Sequence, residues 1–429
     1  MPVAKSSLDR KVLSLALTLG ITAFLTTAAW PQTASQIYGF AGYNFAYGGL
    51  ILDAAGNLYG TTYLGGTGFC NLGCGTVFML SPANGGWTET VLYNFAGGSD
   101  GEFPAAGLVF DAAGNLYGTT DQGGAASCSC GTVFRLSPAS GGGWTETILH
   151  SFTYQADGAY PQGPLVVDAS GNLYGNAFRG GTVAGSCAGE GCGVVFRLSL
   201  SSNGTWKETV LHSFSGGSDG GFPVGAVNLV GSTLYGATTQ GGILSGCANT
   251  GCGVVFRLSH GATGWKETVL HNFTGGADGS NPTSGVTRDS AGNLFGATTH
   301  GGNTKRCPGL GCGVAFKLSH ASGWKETVLH TFTKSNDGAF PTGPVSVDAN
   351  GNVFGETVDP IWCTTFINTC GVVFKLSPAS GGWQVSALYQ IPNDWAPSGG
   401  LVIDTGGNIF GMGDGSSQTG ASGVFTITP

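Results

Sequence analysis

Charged residues are scarce in this chain of 429 residues, because Asp, Glu, Lys and Arg together make up only 9% of it. Acidic residues outnumber basic ones by 24 to 16, so the chain lacks the positive surface that binds nucleic acids and anionic membranes. No helical periodicity follows the N-terminus, which excludes a helical bundle. The sequence also has no HExxH helix and no phosphate-binding loop, which excludes the enzyme classes that those motifs mark.

Glycine, in contrast, is abundant, with 79 residues that separate short runs of β-branched, aromatic and leucine residues. Such runs, bounded by Gly, Asn, Asp, Ser or Pro, predict β-strands. A Trp that opens a run ending in His or Tyr and then Phe recurs six times, at Trp87, Trp144, Trp206, Trp265, Trp324 and Trp383. The spacings, 57, 62, 59, 59 and 59 residues by subtraction, predict one four-stranded antiparallel unit copied in tandem.

The number of copies predicts how the chain closes. The Gly of an LYG, LFG or related triplet marks seven starts, at Gly60, Gly118, Gly175, Gly236, Gly296, Gly355 and Gly411. The seventh copy stops after its third strand, and residues 35–48 supply a fourth-strand pattern ahead of the first copy. Pairing the two chain ends would remove exposed sheet edges. The sequence therefore predicts an all-β seven-bladed β-propeller, closed by one N-terminal and three C-terminal strands.

Residues 1–29 predict a secretory signal peptide, because basic residues precede an apolar stretch that small residues follow. A retained anchor is the alternative, since Trp30 and Pro31 obscure the cleavage site. Cleavage after Ala29 removes three basic residues and one acidic residue, so the mature charge is 13 minus 23, or −10. We expect a monomeric secreted or periplasmic protein that binds neither nucleic acid nor membrane. The predicted propeller, residues 30–429, has repeats that start near 49, 107, 164, 225, 285, 344 and 400.

Cysteine usage supports export. The 12 Cys residues form six local pairs, one in each of the first six repeats between the second and third strands. An even count with one pair at each equivalent position predicts disulfides. The pairs are Cys70 with Cys74, Cys128 with Cys130, Cys187 with Cys192, Cys247 with Cys252, Cys307 with Cys312, and Cys363 with Cys370. Zinc binding is the alternative, but no His stands at ligand spacing near most pairs.

The repeat resembles the GloVer tandem repeats of secreted bacterial proteins. The resemblance extends from Tyr38 to Pro429 and depends on DAAGNLYGTT, GCGTVFMLSP, GGWTETVLYNF and a loop containing Asp-Gly, each recurring in fixed order. It implies secretion and no particular activity. Members of that family carry varied C-terminal anchors, whereas we expect none here, because the chain ends with its last predicted strand.

The order of strands in an antiparallel blade predicts which connections share a face of the ring. The short turns between first and second strands share one face, the turn face, with those between third and fourth strands. The Cys loops and the Asp-Gly loops share the opposite face, the loop face. The loop face has longer and more varied sequence, so we expect any binding site there.

Function is expected where one copy breaks the repeat. Glu356 brings a charge to a position that is otherwise uncharged, and Asp359, Trp362 and Trp395 follow on neighbouring loops. We interpret these four as a ligand-binding cluster, in which exposed aromatics stack on a sugar and carboxylates bind its hydroxyls. Two further candidates interrupt mainly apolar first strands and could face the channel, namely Asn228 and Arg288. No catalytic residue and no metal site are predicted, although Asp in the Asp-Gly loops leaves Ca²⁺ open as a cofactor.

Two classes of function remain open. The sequence favours a secreted, non-catalytic binding or scaffold propeller that recognises an extracellular polysaccharide or an envelope component. The alternative is an extracellular hydrolase or lyase that acts on a glycan or lactone, because glycosidase carboxylates converge only in the folded chain.

Overall fold

The computed structural model describes residues 33–42, 44–125, 128–182, 187, 189–245, 247–358, 369–392, 395–415 and 422–429. These residues form seven antiparallel blades arranged in a ring. The described part of the chain contains no α-helix and three short 3-10 helices, Gly98–Asp100, Cys247–Asn249 and His320–Ser322. None of its helices is long and apolar enough to cross a membrane.

The first four blades follow the chain in order. Blade 1 contains β2 (Ile51–Leu52), β3 (Leu58–Thr62), β4 (Thr76–Ala83) and β5 (Gly86–Asn94). Blade 2 contains β6 (Val109–Phe110), β7 (Leu116–Thr120), β8 (Thr132–Pro138) and β9 (Trp144–Ser151). Blade 3 contains β10 (Val166–Val167), β11 (Leu173–Ala177), β12 (Val194–Leu200) and β13 (Trp206–Ser213). Blade 4 contains β14 (Gly221–Val230), β15 (Thr233–Gln240), β16 (Val254–Gly261) and β17 (Gly264–Asn272).

The first strand of blade 5 is interrupted, so two short strands pair with the same neighbour. Blade 5 contains β18 (Ser280–Pro282), β19 (Thr287–Arg288), β20 (Leu294–His300), β21 (Val314–Ser319) and β22 (Lys325–Thr331). Blade 6 contains β23 (Pro341–Val347), β24 (Val353–Val358), β25 (Thr369–Ala379) and β26 (Gly382–Pro392). Blade 7 contains β27 (Trp395–Ile403), β28 (Ile409–Gly415), β29 (Gly423–Thr428) and β1 (Thr33–Gly39).

The last blade confirms the predicted closure. Strand β1 pairs antiparallel with β29, with Thr33 opposite Thr428 and Gly39 opposite Gly423. Three C-terminal strands and one N-terminal strand therefore share a sheet. The pairing covers the edge of β29, so closure of the ring depends on contacts between residues almost 400 positions apart.

The recurring glycine of the second strand is explained by close packing within each blade. A Cβ atom on Gly60 would lie 2.6 Å from the ring of Phe78 on the neighbouring third strand, and the Phe134 ring lies equally close to Gly118. Both Phe side chains are fully buried. Any larger residue would displace a ring from a core packed without space to spare. The repeated Gly and Phe are therefore one structural unit.

The repeated Trp residues pack between blades, as the sequence predicts. Trp206 of blade 3 lies edge-on to Tyr117 of blade 2, with ring centroids 6.5 Å apart. Trp87 of blade 1 contacts Phe410 of blade 7 in the same way, at 5.9 Å. Each Trp thus extends the core across a seam, since aromatic pairs favour such edge contacts.

The turn face consists of nearly identical turns. In blade 1, Asp53 accepts backbone N–H bonds from Ala55 and Asn57, and the Asn57 side chain donates to its other oxygen at 2.7 Å. Aspartates in blades 2, 3, 5, 6 and 7 accept the same bond from Asn. Blade 4 has Val230 at this register position. These carboxylates stabilise turns, as their sequence pattern indicates.

The loop face combines the Cys loops with the Asp-Gly loops. Five predicted disulfides are present, Cys70–Cys74, Cys128–Cys130, Cys187–Cys192, Cys247–Cys252 and Cys307–Cys312. The sixth predicted pair includes Cys363, which lies outside the described residues. The two kinds of loop bind each other, since the N–H of Phe103 donates to the carbonyl of Cys74 at 2.9 Å.

Candidate functional site

The first strands of neighbouring blades meet closely around the axis of the ring. A Cβ on Gly49 of blade 1 would lie 2.4 Å from the Gly399 carbonyl oxygen of blade 7. A Cβ on Gly163 would lie 2.1 Å from the Gly225 carbonyl oxygen of the next blade. The backbones of neighbouring blades are so close at these glycines that no side chain fits between them. A ligand is therefore expected at the mouth of the channel.

Glu356 lies beside these glycines, between blades 6 and 7. Its side chain is 1% exposed, and neither carboxyl oxygen has a hydrogen bond of normal geometry. Burial raises the pKa of Glu356 to about 8, and the nearby N–H of Gly400 offsets this only in part. The carboxyl group is consequently neutral near pH 7. The expected charged residue is thus a buried, neutral acid.

Trp395, the other described member of the predicted cluster, does not form an exposed surface with Glu356. Trp395 was expected to be exposed, which is wrong, because it is only 8% exposed. Its ring fills the space above Gly413 and Gly423, where Cβ atoms would lie 2.5 Å from it. Asp359 and Trp362 lie outside the described residues.

Asn228 and Arg288 lie toward the turn face. Asn228 pairs with Tyr235, and Arg288 pairs with Leu294 directly before a turn. Both side chains are half-buried. The structure therefore does not bring them together with the loop face, where the sequence predicts ligand contacts.

Aspartates of the Asp-Gly loops are held by their own loops. Asp337 accepts the N–H of Thr333 at 2.9 Å and the hydroxyl of the same residue at 2.8 Å, and it pairs with His330 at 2.9 Å. Asp157 pairs with His150 at 3.3 Å. Within the described residues, no group of three or more His, Cys, Asp or Glu is arranged to hold a metal ion. Calcium at these loops stays an untested prediction.

A different group of side chains surrounds the channel mouth on the loop face. We call it the mouth cluster, and it consists of Tyr47, Tyr63, Asp121, Gln162 and Asp414. Tyr47 and Tyr63 meet edge-on, with ring centroids 5.3 Å apart. Gln162 donates its side-chain N–H to Asp121 at 3.0 Å, and Tyr47 hydrogen-bonds to Asp414. The cluster thus joins side chains of blades 7, 1, 2 and 3.

The two carboxyl groups of the mouth cluster are unusually basic. Burial raises the pKa of Asp414 to about 7, and the bond from Tyr47 opposes the shift. Burial also raises the pKa of Asp121, against the bond from Gln162. Asp414 is 9% exposed, and one of its oxygens has no partner. Asp414 therefore changes its protonation state near neutral pH, as groups at binding and catalytic sites often do.

Left-handed residues fix the aromatic lining beside this cluster. Five residues before Pro have positive φ angles of 52° to 60°, namely Phe103, Tyr160, Phe222, Asn281 and Phe340. Bulky residues rarely adopt this conformation, and it costs of order 1–3 kcal/mol. The backbone N–H of each of these five residues donates to a carbonyl of the adjacent Cys loop. Phe103 also stacks on Tyr63, with centroids 5.0 Å apart. Strain of this kind is typical of functional sites.

Sequence reasoning missed the mouth cluster, although one signal was available. The residue that follows the second strand, or stands near its end, varies among the blades, and only Thr and Asp occur twice. It is Tyr63, Asp121, Phe178, Thr239, Thr299, Val358 or Asp414. Acids at two of these positions break the repeat as clearly as Glu356 does.

Comparison with known families decides the identity of the repeat. A family model described as the Gloeobacter/Verrucomicrobia repeat matches residues 23–248 and 242–429. The chain belongs to the Gloeobacter/Verrucomicrobia repeat family. The predicted resemblance to GloVer repeats is therefore confirmed. No curated protein matches the chain significantly.

One solved structure supports the fold of this Gloeobacter/Verrucomicrobia repeat protein. A fungal alcohol oxidase of the AA5 family, in complex with copper, aligns with a TM-score of 0.55 and 13% identity over 92% of this chain and 76% of the oxidase. A puromycin-hydrolysing peptidase of Mycobacterium tuberculosis aligns with a TM-score of 0.48 and 10% identity, over 89% of this chain and 53% of the peptidase. At such identities the oxidase indicates a shared fold alone.

Proposed function

We propose that this protein is a secreted, non-catalytic propeller that binds a neutral polysaccharide at the mouth cluster. The observation that carries this proposal is the contact between aromatic and amide or carboxyl groups at one opening. Tyr47 is 46% exposed and touches both Tyr63 and Asp414. Aromatic faces bind the apolar faces of sugar rings, while carboxyl and amide groups bind their hydroxyls.

The charge of the protein favours a neutral ligand. The mature chain is expected to carry a net charge of −10, from 13 basic and 23 acidic residues. The mouth cluster contributes two acids and no basic residue, so a polyanionic glycan would meet repulsion. A neutral glycan instead supplies hydroxyl groups that both donate and accept hydrogen bonds.

Export is supported by the disulfides and the predicted signal peptide. Five disulfides lie on the same loop face as the mouth cluster. Such bonds persist in oxidising compartments. An extracellular or periplasmic location would also give the protein access to polysaccharides.

Affinity electrophoresis tests the proposal directly. The protein is run in native gels that contain xylan, mixed-linkage β-glucan, galactomannan or starch, with pectate as the anionic comparison. At least one neutral polysaccharide should retard the wild type. Tyr47→Ala should weaken retardation several-fold, because one exposed aromatic contact contributes about 0.5–1.5 kcal/mol.

Leu200→Ala is the control, because Leu200 is 56% exposed at the turn-face end of β12 and Tyr47 is 46% exposed. It should bind as the wild type does. Equal mobility of the wild type in every neutral gel and in a gel without polysaccharide would exclude the function. Equal weakening by the Tyr47 and Leu200 variants would exclude the site.

One observation favours glycan hydrolysis as a second candidate. The pKa of Asp414 is raised to about 7 by burial, which suits a general acid near neutral pH. Release of reducing ends from the retarding polysaccharide, lost in Asp414→Asn with binding retained, would establish catalysis. Binding without such release would leave the protein as a lectin-like propeller.

A further inference from the structure

A cavity of about 460 Å³ lies on the loop face, outside the mouth cluster. It is open to solvent and is bordered by the Cys loop of blade 1 and the Asp-Gly loop that joins blades 1 and 2. The chemically distinctive lining residues are Phe69, Asn71, Glu102 and Phe103. Two aromatic rings, an amide and a carboxylate therefore surround one space, as in the mouth cluster.

Phe69 is solvent-exposed but fixed at its backbone. Its side chain is 95% exposed, whereas its N–H donates to the carbonyl of Ala96 at 3.1 Å. The adjacent Cys70 forms a disulfide with Cys74. Water contact with a large apolar side chain is unfavourable. A rigid backbone that presents such a side chain is typical of a contact residue, because little conformational entropy is lost on binding.

The cavity is continuous with the mouth cluster through one ring. Phe103 lines the cavity and also stacks on Tyr63 at 5.0 Å, and Tyr63 contacts Tyr47 at 5.3 Å. Tyr47, Tyr63, Phe103 and Phe69 thus form an aromatic track from the channel mouth to the rim of the ring. The left-handed backbone of Phe103, with φ 60°, fixes the middle of this track.

The corresponding groove between blades 3 and 4 has different chemistry. Its cavity is about 250 Å³ and is lined by Glu190 and Phe222 among other residues. Glu190 forms an ion pair with Arg179, whereas Phe222 contacts Phe178 with ring centroids 5.2 Å apart, as Phe103 contacts Tyr63. The aromatic pair therefore recurs, but the acid of this second groove is already paired with a cation.

We propose that the cavity beside Phe69 is a second subsite for the same polysaccharide, so that an extended chain lies along the aromatic track. This inference rests on the proposed function. It makes the proposed function more specific, because an aromatic track binds a chain of several sugars more tightly than a single sugar. The mouth cluster binds the first sugar units, and the cavity binds units farther along the chain.

A chain-length series tests the second subsite. Calorimetry measures binding of xylo-, cello-, manno- and malto-oligosaccharides, from disaccharide to hexasaccharide, to the wild type and to Phe69→Ala. Wild-type affinity for one series should rise with length. Phe69→Ala should leave disaccharide binding unchanged and weaken hexasaccharide binding by about three- to tenfold.

Leu310→Ala provides the control, because Leu310 is 58% exposed on the Cys loop of blade 5. It should not change the length dependence. If Tyr47→Ala weakens all lengths while Phe69→Ala matches Leu310→Ala, the subsite is wrong and the proposed function stands. If the wild type binds no oligosaccharide and no polysaccharide, both proposals fail together.

Discussion

The turn face and the mouth cluster belong to the same seven repeats but use their acidic residues in opposite ways. On the turn face, Asp168 accepts bonds from two backbone N–H groups and from the Asn172 side chain. Burial alone would raise its pKa, but these bonds together lower it. In the mouth cluster, burial raises the pKa of Asp414 to about 7, and one oxygen lacks a partner.

This difference separates residues that build the fold from residues that are available to a ligand. A carboxylate saturated by its own turn gains nothing from a ligand, since it would have to give up bonds of equal strength. A buried carboxyl group with an unpaired oxygen would gain a partner from any hydroxyl that reaches it. Saturated turn carboxylates are therefore poor guides to function in this ring. Asp414 is a better guide, because it breaks the repeat and also has an unpaired oxygen.

The largest loss of stability is expected from a change that opens the ring and so disrupts both faces. A chain that begins at Gly49 lacks β1, so it exposes the edge of β29 and removes the seam that closes the ring. We expect loss of cooperative unfolding, measured by circular dichroism during heating. Control chains that begin at Thr33 should unfold as the full mature protein does. An unchanged melting temperature for the shorter chain would contradict closure by β1.

A smaller effect, of several kcal/mol, is expected at the buried acid Glu356. Its pKa rises from an ordinary 4.5 to about 8 on folding, so the unfolded chain ionises first as pH rises. Its burial therefore costs no stability below pH 4.5 and increasingly more up to pH 8, by about 1.4 kcal/mol per pH unit. Glu356→Gln should unfold at higher denaturant concentration than the wild type at pH 8, and nearly together with it at pH 4.5.

The same titration with Asn176→Ala gives the control, because Asn176 occupies the same position in blade 3 and donates to the Gly225 carbonyl at 2.7 Å. That variant should lose stability equally at both pH values. A Glu356→Gln effect that does not depend on pH would show that the carboxyl group is ionised in the folded protein.

The smallest effect, about 1 kcal/mol, is expected on the turn face. The lowered pKa of Asp168 stabilises the fold above its unfolded pKa of about 3.8, and that stabilisation is lost as pH falls. Asp168→Asn should therefore destabilise blade 3 at pH 7 and less at pH 3, opposite in sign to Glu356→Gln. Binding to a retarding polysaccharide should not change. A loss of binding in this variant would contradict the distinction between turn-face carboxylates, which stabilise the fold, and the mouth cluster, which binds the ligand.

The ring could be predicted from the sequence because the residues that pack together within a blade recur in each repeat. The Gly of each second strand and the Phe of each third strand recur together, and they pack against each other within one blade. The mouth cluster was not predicted because its partners come from different blades. Tyr47 and Asp414 stand near opposite ends of the chain and meet only when the ring closes.

The burial of Trp395 also could not be predicted from a local sequence pattern. Its sequence position, on a loop outside the repeated Trp pattern, suggested exposure. The glycines that make space for its ring, Gly413 and Gly423, lie on two later strands. A local pattern reports on strands and turns, but it does not report which distant glycine leaves space for a side chain.

The left-handed residues before proline have a consequence for evolvability. Their backbone is fixed by a hydrogen bond to the Cys loop and by the following ring, whatever side chain they carry. Asn281 has φ 53° and Phe340 has φ 52°, although one is an amide and the other an aromatic. Single substitutions at these positions can therefore exchange the chemistry of the channel mouth without moving the backbone, which would let related propellers acquire new ligands in small steps.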